Sequence, residues 1–116
     1  MKLKFILQAS IGSAALIGAS AVAVTSAWAD STGFDAIHST IRVGKRVCFD
    51  GHSHGGSGQG PSRKAAELQA IQSWYSYTAG EYGSDWANIH KAIHTSMRCG
   101  ASAGGWTCDV EATPCR

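Results

Sequence analysis

Four cysteines in a short chain restrict this protein's architecture more than any other feature. Cys48, Cys99, Cys108 and Cys115 all fall between residue 48 and the end of the 116-residue sequence. An even cysteine count in a small exported protein reads as a disulfide framework. Three pairings are open to four cysteines. A hairpin near the C-terminus favours Cys99–Cys108, which leaves Cys48–Cys115 to tie the first strand to the chain end. Chain-entropy arguments give the short loop about 3 kcal/mol and the long one about 4. A zinc–thiolate centre is the rival, but no C-x-x-C knuckle is present.

The reading of an oxidising compartment rests on the first 29 residues. Lys2 and Lys4 make a positive start, and Phe5 to Val24 is uncharged and rich in Ala, Ile, Leu and Val. Ala27-Trp28-Ala29 supplies the small-residue pattern that a signal peptidase needs. The expectation is a signal peptide over 1–29 and a single disulfide-stabilised domain over 30–116, periplasmic or secreted. After removal of the leader, no further apolar run could embed the chain in a membrane.

Charge narrows the partners. Without Lys2 and Lys4, eight of the ten basic residues remain, against eight acidic ones. A near-neutral domain has no general electrostatic drive toward nucleic acid or anionic lipid. A domain of this size also buries a modest fraction of its surface, so covalent links matter to its stability.

Along the chain, Asp30 to Ser39 carries no pattern and reads as a loose N-terminus. Ile41, Val43, Val47 and Phe49 mark a strand interrupted at Gly44-Lys45 by a bulge or turn. His52 to Gly60 reads as a loop from its glycine content. Pro61-Ser62 opens a helix from Arg63 to about Ala79, with Ala66, Ala70, Trp74 and Tyr77 on one stripe and Tyr75 off it, exposed. Gly80 and Gly83 mark its end, and Ser84-Asp85 caps a short second helix reaching about His90. Ile93, Thr95, Met97 and Cys99 alternate as a strand. After a Gly100–Gly105 connection, Trp106, Cys108, Val110 and Ala112 alternate as another. The expected fold is α+β: a small antiparallel sheet, β-α-(α)-β-β, packed on one main helix and held by two disulfides.

One series of residues runs through nearly all of this domain. It comprises Cys48-Phe49-Asp50-x-His52-x-His54-x-Gly56, Ser62-Arg63-Lys64-Ala65-Ala66-Glu67, Ala70-Ile71-x-x-Trp74 and Glu81-Tyr82-Gly83-x-x-Trp86. It ends in Met97-x-Cys99 and Gly104-Gly105-Trp106-x-Cys108-x-Val110-Glu111-Ala112-x-Pro114-Cys115. The ensemble resembles small cysteine-containing secreted or periplasmic proteins of alphaproteobacteria. That resemblance implies bacterial export and a small disulfide-bonded domain, and it carries no catalytic residues.

Two constellations carry chemistry. His52 and His54 stand two apart, and His90 and His94 four apart. Converging imidazoles suit zinc or copper. However, a helix end and strand start between His90 and His94 would break their shared face, and Lys91 replaces the Glu of H-E-x-x-H. The second constellation is Arg63 and Lys64 at a helix start behind a glycine-rich run, a candidate anion site. Pro61 stands where a phosphate-binding loop needs Lys, and Arg63 where a dinucleotide fingerprint needs Gly. Every cysteine is better placed in a disulfide, which leaves no thiol nucleophile. The sequence therefore points to a non-catalytic binding module for an envelope protein or small ligand, with a histidine-based metal-binding protein as the alternative.

Overall fold

The computed structural model describes residues 28–116, so the segment expected as a signal peptide lies, but for Trp28 and Ala29, outside the described residues. Two antiparallel sheets and one long helix make up the domain. β1 (Thr40–Val43) and β2 (Arg46–Phe49) form a hairpin. β3 (His54–Gly60), β5 (Gly105–Thr113) and β4 (Ile93–Ser102) form a sheet in that spatial order, with β5 central. α1 (Arg63–Tyr82) connects the two edge strands and lies across one face of the sheet. The α+β class and both disulfides stand as the sequence suggests, with Cys48 bonded to Cys115 and Cys99 to Cys108.

The third strand of the main sheet is not the Val/Ile segment but the glycine-rich run expected as a loop. β3 pairs with β5 from His54↔Ala112 to Gly60↔Trp106. Alternate residues His54, Gly56, Gly58 and Gly60 share the face of Ala112, Val110, Cys108 and Trp106, toward α1. At Gly56 a β-carbon would run into the backbone of Ala70 and Trp74, and at Gly58 into that of Ala66 and Ala70. The glycines therefore let helix and strand touch backbone to backbone. Ala66 and Ala70 supply the matching small surface, both fully buried.

α1 starts at Ser62, whose Oγ accepts from the Ala65 amide 3.1 Å away. Pro61 precedes this cap rather than opening the first turn. The helix runs through Gly80 and ends at Gly83, where φ is +105°. Its buried stripe is Ala66, Ala70, Trp74 and Thr78, so the step after Trp74 is four residues, not three. Tyr77 is consequently 60 % exposed, and Tyr75 is half-buried against the core rather than solvated. Trp74 is fully buried and donates its indole N–H to the Ala112 carbonyl at 3.2 Å. The short second helix is a single 3₁₀ turn, Ser84–Trp86, with no side-chain cap.

β4 extends to Ser102, into residues expected as the connection, and carries a bulge between Ile93 and Ser96 where His94 adopts φ +52°. The Gly44-Lys45 interruption is the turn of the β1–β2 hairpin. This hairpin is fastened to the chain end by Cys48–Cys115, by paired backbone bonds between Val47 and Arg116, and by Phe49 N–H to the Pro114 carbonyl. Asp30 to Ser39 is not loose. It holds a 3₁₀ turn (Phe34–Ile37), the Thr32 amide donates to the Tyr82 carbonyl, and Asp35 pairs with Arg116 at 3.6 Å.

Candidate functional histidine–tyrosine cluster

Below the main core lies a second, aromatic one. Phe49, Tyr82 and Trp86 are buried together, with the Phe49 and Trp86 rings stacked at 4.3 Å and 8°. The Arg116 guanidinium sits 4.9 Å from the Trp86 ring centre. Trp86 Nε1 is buried without a hydrogen-bond partner among the described residues. This apolar floor fixes the last residue of α1, Tyr82, so that its phenol points away from the floor at three imidazoles.

The three histidines arrive from two parts of the chain, His38 from one and His52 and His54 from the other. His54 opens β3 on its inward face and is 4 % exposed. His52 sits on the turn between β2 and β3, and His38 follows the N-terminal 3₁₀ turn. Tyr82 Oη lies 2.8 Å from His52 Nε2, 3.0 Å from His38 Nε2 and 3.3 Å from His54 Nε2. The Nε2 atoms of His52 and His54 are 3.1 Å apart. The His38 and His52 rings stack at 4.5 Å. Glu81 Oε2 completes the group, 3.5 Å from His54 Nε2. On its other side His54 presents Nδ1 to Thr78 Oγ1 at 3.4 Å.

The cluster opens to solvent through a cleft of about 340 Å³ lined by His52, Ser53, His54, Gly55, Tyr77 and Glu81. Exposed Tyr77 forms one wall, its ring 4.7 Å from that of His54. Burial lowers the His54 pKa. The Glu81 carboxylate opposes that shift, and the neighbouring His52 and His38 reinforce it. Burial raises the Tyr82 pKa, as do Glu81, by its charge and a hydrogen bond, and Tyr77. At neutral pH His54 is therefore a neutral imidazole beside the protonated Tyr82 phenol.

Of the sequence candidates, His52 and His54 are brought together. His90, on an exposed turn, and His94, at the β4 bulge, are both exposed and share no hydrogen bond or ring contact with them. No helical i,i+4 pairing of His90 with His94 exists. His38, Tyr82 and Glu81 were not singled out by sequence as partners of the histidines. Among the described residues no three or more His, Cys, Asp or Glu side chains stand ready-arranged to hold a metal ion. Arg63 and Lys64 are exposed at the start of α1, with Arg63 paired to Glu67 at 3.0 Å. The glycines before them belong to β3, so no loop cradles an anion there. Among the described residues, no helix is long and apolar enough to cross a membrane. Comparison with family models, with curated proteins and with solved structures finds no match.

Proposed function

We propose that this chain is an exported, disulfide-stabilised binding module of the periplasm or medium, non-catalytic, that takes a small ligand at the His38–His52–His54–Tyr82 cluster. One observation carries the reading: three imidazole nitrogens, one from His38 and two from the His52–His54 stretch, meet one buried phenol beside a cleft. The cleft volume falls at the lower end of the range for small-molecule sites. The export half of the reading draws on the leader, the two disulfides and the resemblance to secreted alphaproteobacterial proteins. The balanced charge of residues 30–116 argues against nucleic acid as the ligand.

Thermal protection tests it. The purified, disulfide-bonded protein is screened against divalent metal ions, inorganic phosphate, amino acids and simple sugars, beside a His52→Ala/Glu81→Gln variant. A true ligand at 100 times its Kd stabilises by about 2.7 kcal/mol, a shift on the order of 10 °C for a domain this size. A probe that raises Tm in the wild type and not in the variant supports the site. If every probe class leaves both proteins unmoved, the reading is wrong.

A further inference from the structure

The cluster holds more polar contacts than hydrogen atoms can bridge. Five contacts reach the imidazole Nε2 atoms: His52 to His54, Tyr82 to each of the three histidines, and Glu81 to His54. Each Nε2 has one in-plane lobe, either an N–H or a lone pair, and so serves one two-centre hydrogen bond. Three such atoms satisfy three contacts at most. His54 Nε2 alone faces His52, Tyr82 and Glu81. The unmatched contacts bring together lone pairs, or hydrogens, that repel.

A cation among them removes the conflict, because every lone pair then points to positive charge. The spacing agrees. Four donors each 2.0–2.1 Å from a tetrahedral ion lie about 3.3 Å from one another. Here Tyr82 Oη, His52 Nε2 and His54 Nε2 are separated by 2.8, 3.1 and 3.3 Å, and His38 Nε2 lies 3.0 Å from the same oxygen. His54 is also oriented as ligating histidines are: its remote Nδ1 is engaged by Thr78, which turns Nε2 toward the group. His38 reaches the others through Tyr82 and its stack on His52, and it is the ring that must shift for the donors to close.

We infer that His38, His52 and His54, with Tyr82 as the oxygen donor, form a site for one divalent transition-metal ion, Zn²⁺ or Cu²⁺. This rests on the binding-module reading and names its ligand. Imidazole nitrogen with one oxygen donor is a set that both ions accept. Glu81, beside His54 at the cleft mouth, adds a carboxylate next to the donor set.

The test is calorimetric titration of the chelator-treated, untagged, disulfide-bonded protein with Zn²⁺ and with Cu²⁺. The expected result is one site with Kd of ~10 µM or tighter. His38→Ala and His52→Ala weaken it at least tenfold while their unfolding midpoints in denaturant show them folded. His90→Ala and His94→Ala leave it unchanged. Thr78→Val, which releases the His54 ring, costs about tenfold. With Cu²⁺, the Tyr82 phenol gives up its proton to the buffer on binding, so a phenolate-to-copper absorption is present and is absent in Tyr82→Phe. Affinity weaker than about 100 µM, or equal affinity in His38→Ala, His52→Ala and the wild type, overturns the metal assignment. If metals fail while phosphate, an amino acid or a sugar still protects the wild type selectively, the metal inference falls and the binding module stands. If no probe of any class protects, both fall.

Discussion

Tyr82 Oη lies 2.8 Å from His52 Nε2, which joins the last residue of α1 to the turn that delivers β3. The same oxygen reaches His38 and His54, so one phenol organises three segments of chain. Removing it alone should be informative, because Phe keeps the ring that packs on Phe49 at 4.5 Å. Tyr82→Phe should cost about 1–3 kcal/mol of stability, the range for losing a partner of buried polar groups. Denaturant unfolding measures this. A neutral substitution would mean that the phenol is not the hub the distances suggest.

The contact of β3 with α1 makes a sharper prediction about glycine. Gly58→Ala would force a β-carbon into the Ala66 and Ala70 backbone, which cannot step aside as a flexible side chain can. At Gly55, on the opposite face of the same strand, a β-carbon would meet only the Val110 carbonyl, at 3.7 Å. Gly58→Ala should lose about 3 kcal/mol or more, from overpacking against rigid backbone, or fail to fold. Gly55→Ala should stay within about 0.5 kcal/mol of wild type, as surface changes do. Equal effects at the two positions would contradict the strand assignment.

Acid should destabilise the metal-free protein through His54. Its folded pKa lies below the unfolded value of 6.5, chiefly from burial. The groups around it are Glu81, which raises the pKa, His52 and His38, which lower it, and the Tyr82, Tyr77 and Thr78 side chains. Between the two pKa values the unfolded chain binds the extra proton, so stability falls as pH drops through 6.5 toward the folded value. Above 6.5 the contribution is flat. Unfolding midpoints from pH 8 to pH 5, in chelator, follow it. His54→Gln should flatten the part of the slope that His54 supplies, and an unchanged slope would assign the effect elsewhere.

How legible this was from sequence depended on which physical signal each residue carries. Trp106, Cys108, Val110 and Ala112 announced β5 because large inward residues alternate with polar ones. The hairpin they form with β4 also brings Cys99 beside Cys108. His54, Gly56, Gly58 and Gly60 alternate equally well, but glycine reads as turn punctuation when its partner is unseen. Only the small stripe of Ala66 and Ala70 explains it, through a helix packed against the strand. His52 and His54 were recognisable as paired imidazoles, whereas His38 stands in a segment without periodicity. That segment is held by long-range bonds: the Thr32 amide to the Tyr82 carbonyl, and Asp35 to Arg116. Tyr82 carried no local mark of its role, because its three imidazole partners lie 28 to 44 residues away.

The two disulfides should prove unequal, in stability and in what they hold. Cys48–Cys115 spans 67 residues and Cys99–Cys108 spans 9. Chain entropy assigns about 4 kcal/mol to the first and about 3 to the second. Against a total of roughly 5–10 kcal/mol for a small domain, either loss is severe. Their structural consequences differ more. Cys99–Cys108 joins neighbouring strands that are already paired in register. Cys48–Cys115 fastens the β1–β2 hairpin, and with it Phe49, whose ring lies against Tyr82, Trp86, His38 and His52. Replacing Cys48 and Cys115 together by Ala should therefore loosen the floor of the histidine cluster. The His38, His52 and His54 imidazole resonances should lose their dispersion before the main sheet melts. Replacing Cys99 and Cys108 by Ala should lower the global midpoint and leave those resonances in place up to unfolding. NMR of histidine-labelled protein, read beside circular dichroism, separates the two. If both pairs of substitutions disturb the imidazoles alike, the cluster does not depend on the hairpin as its contacts indicate.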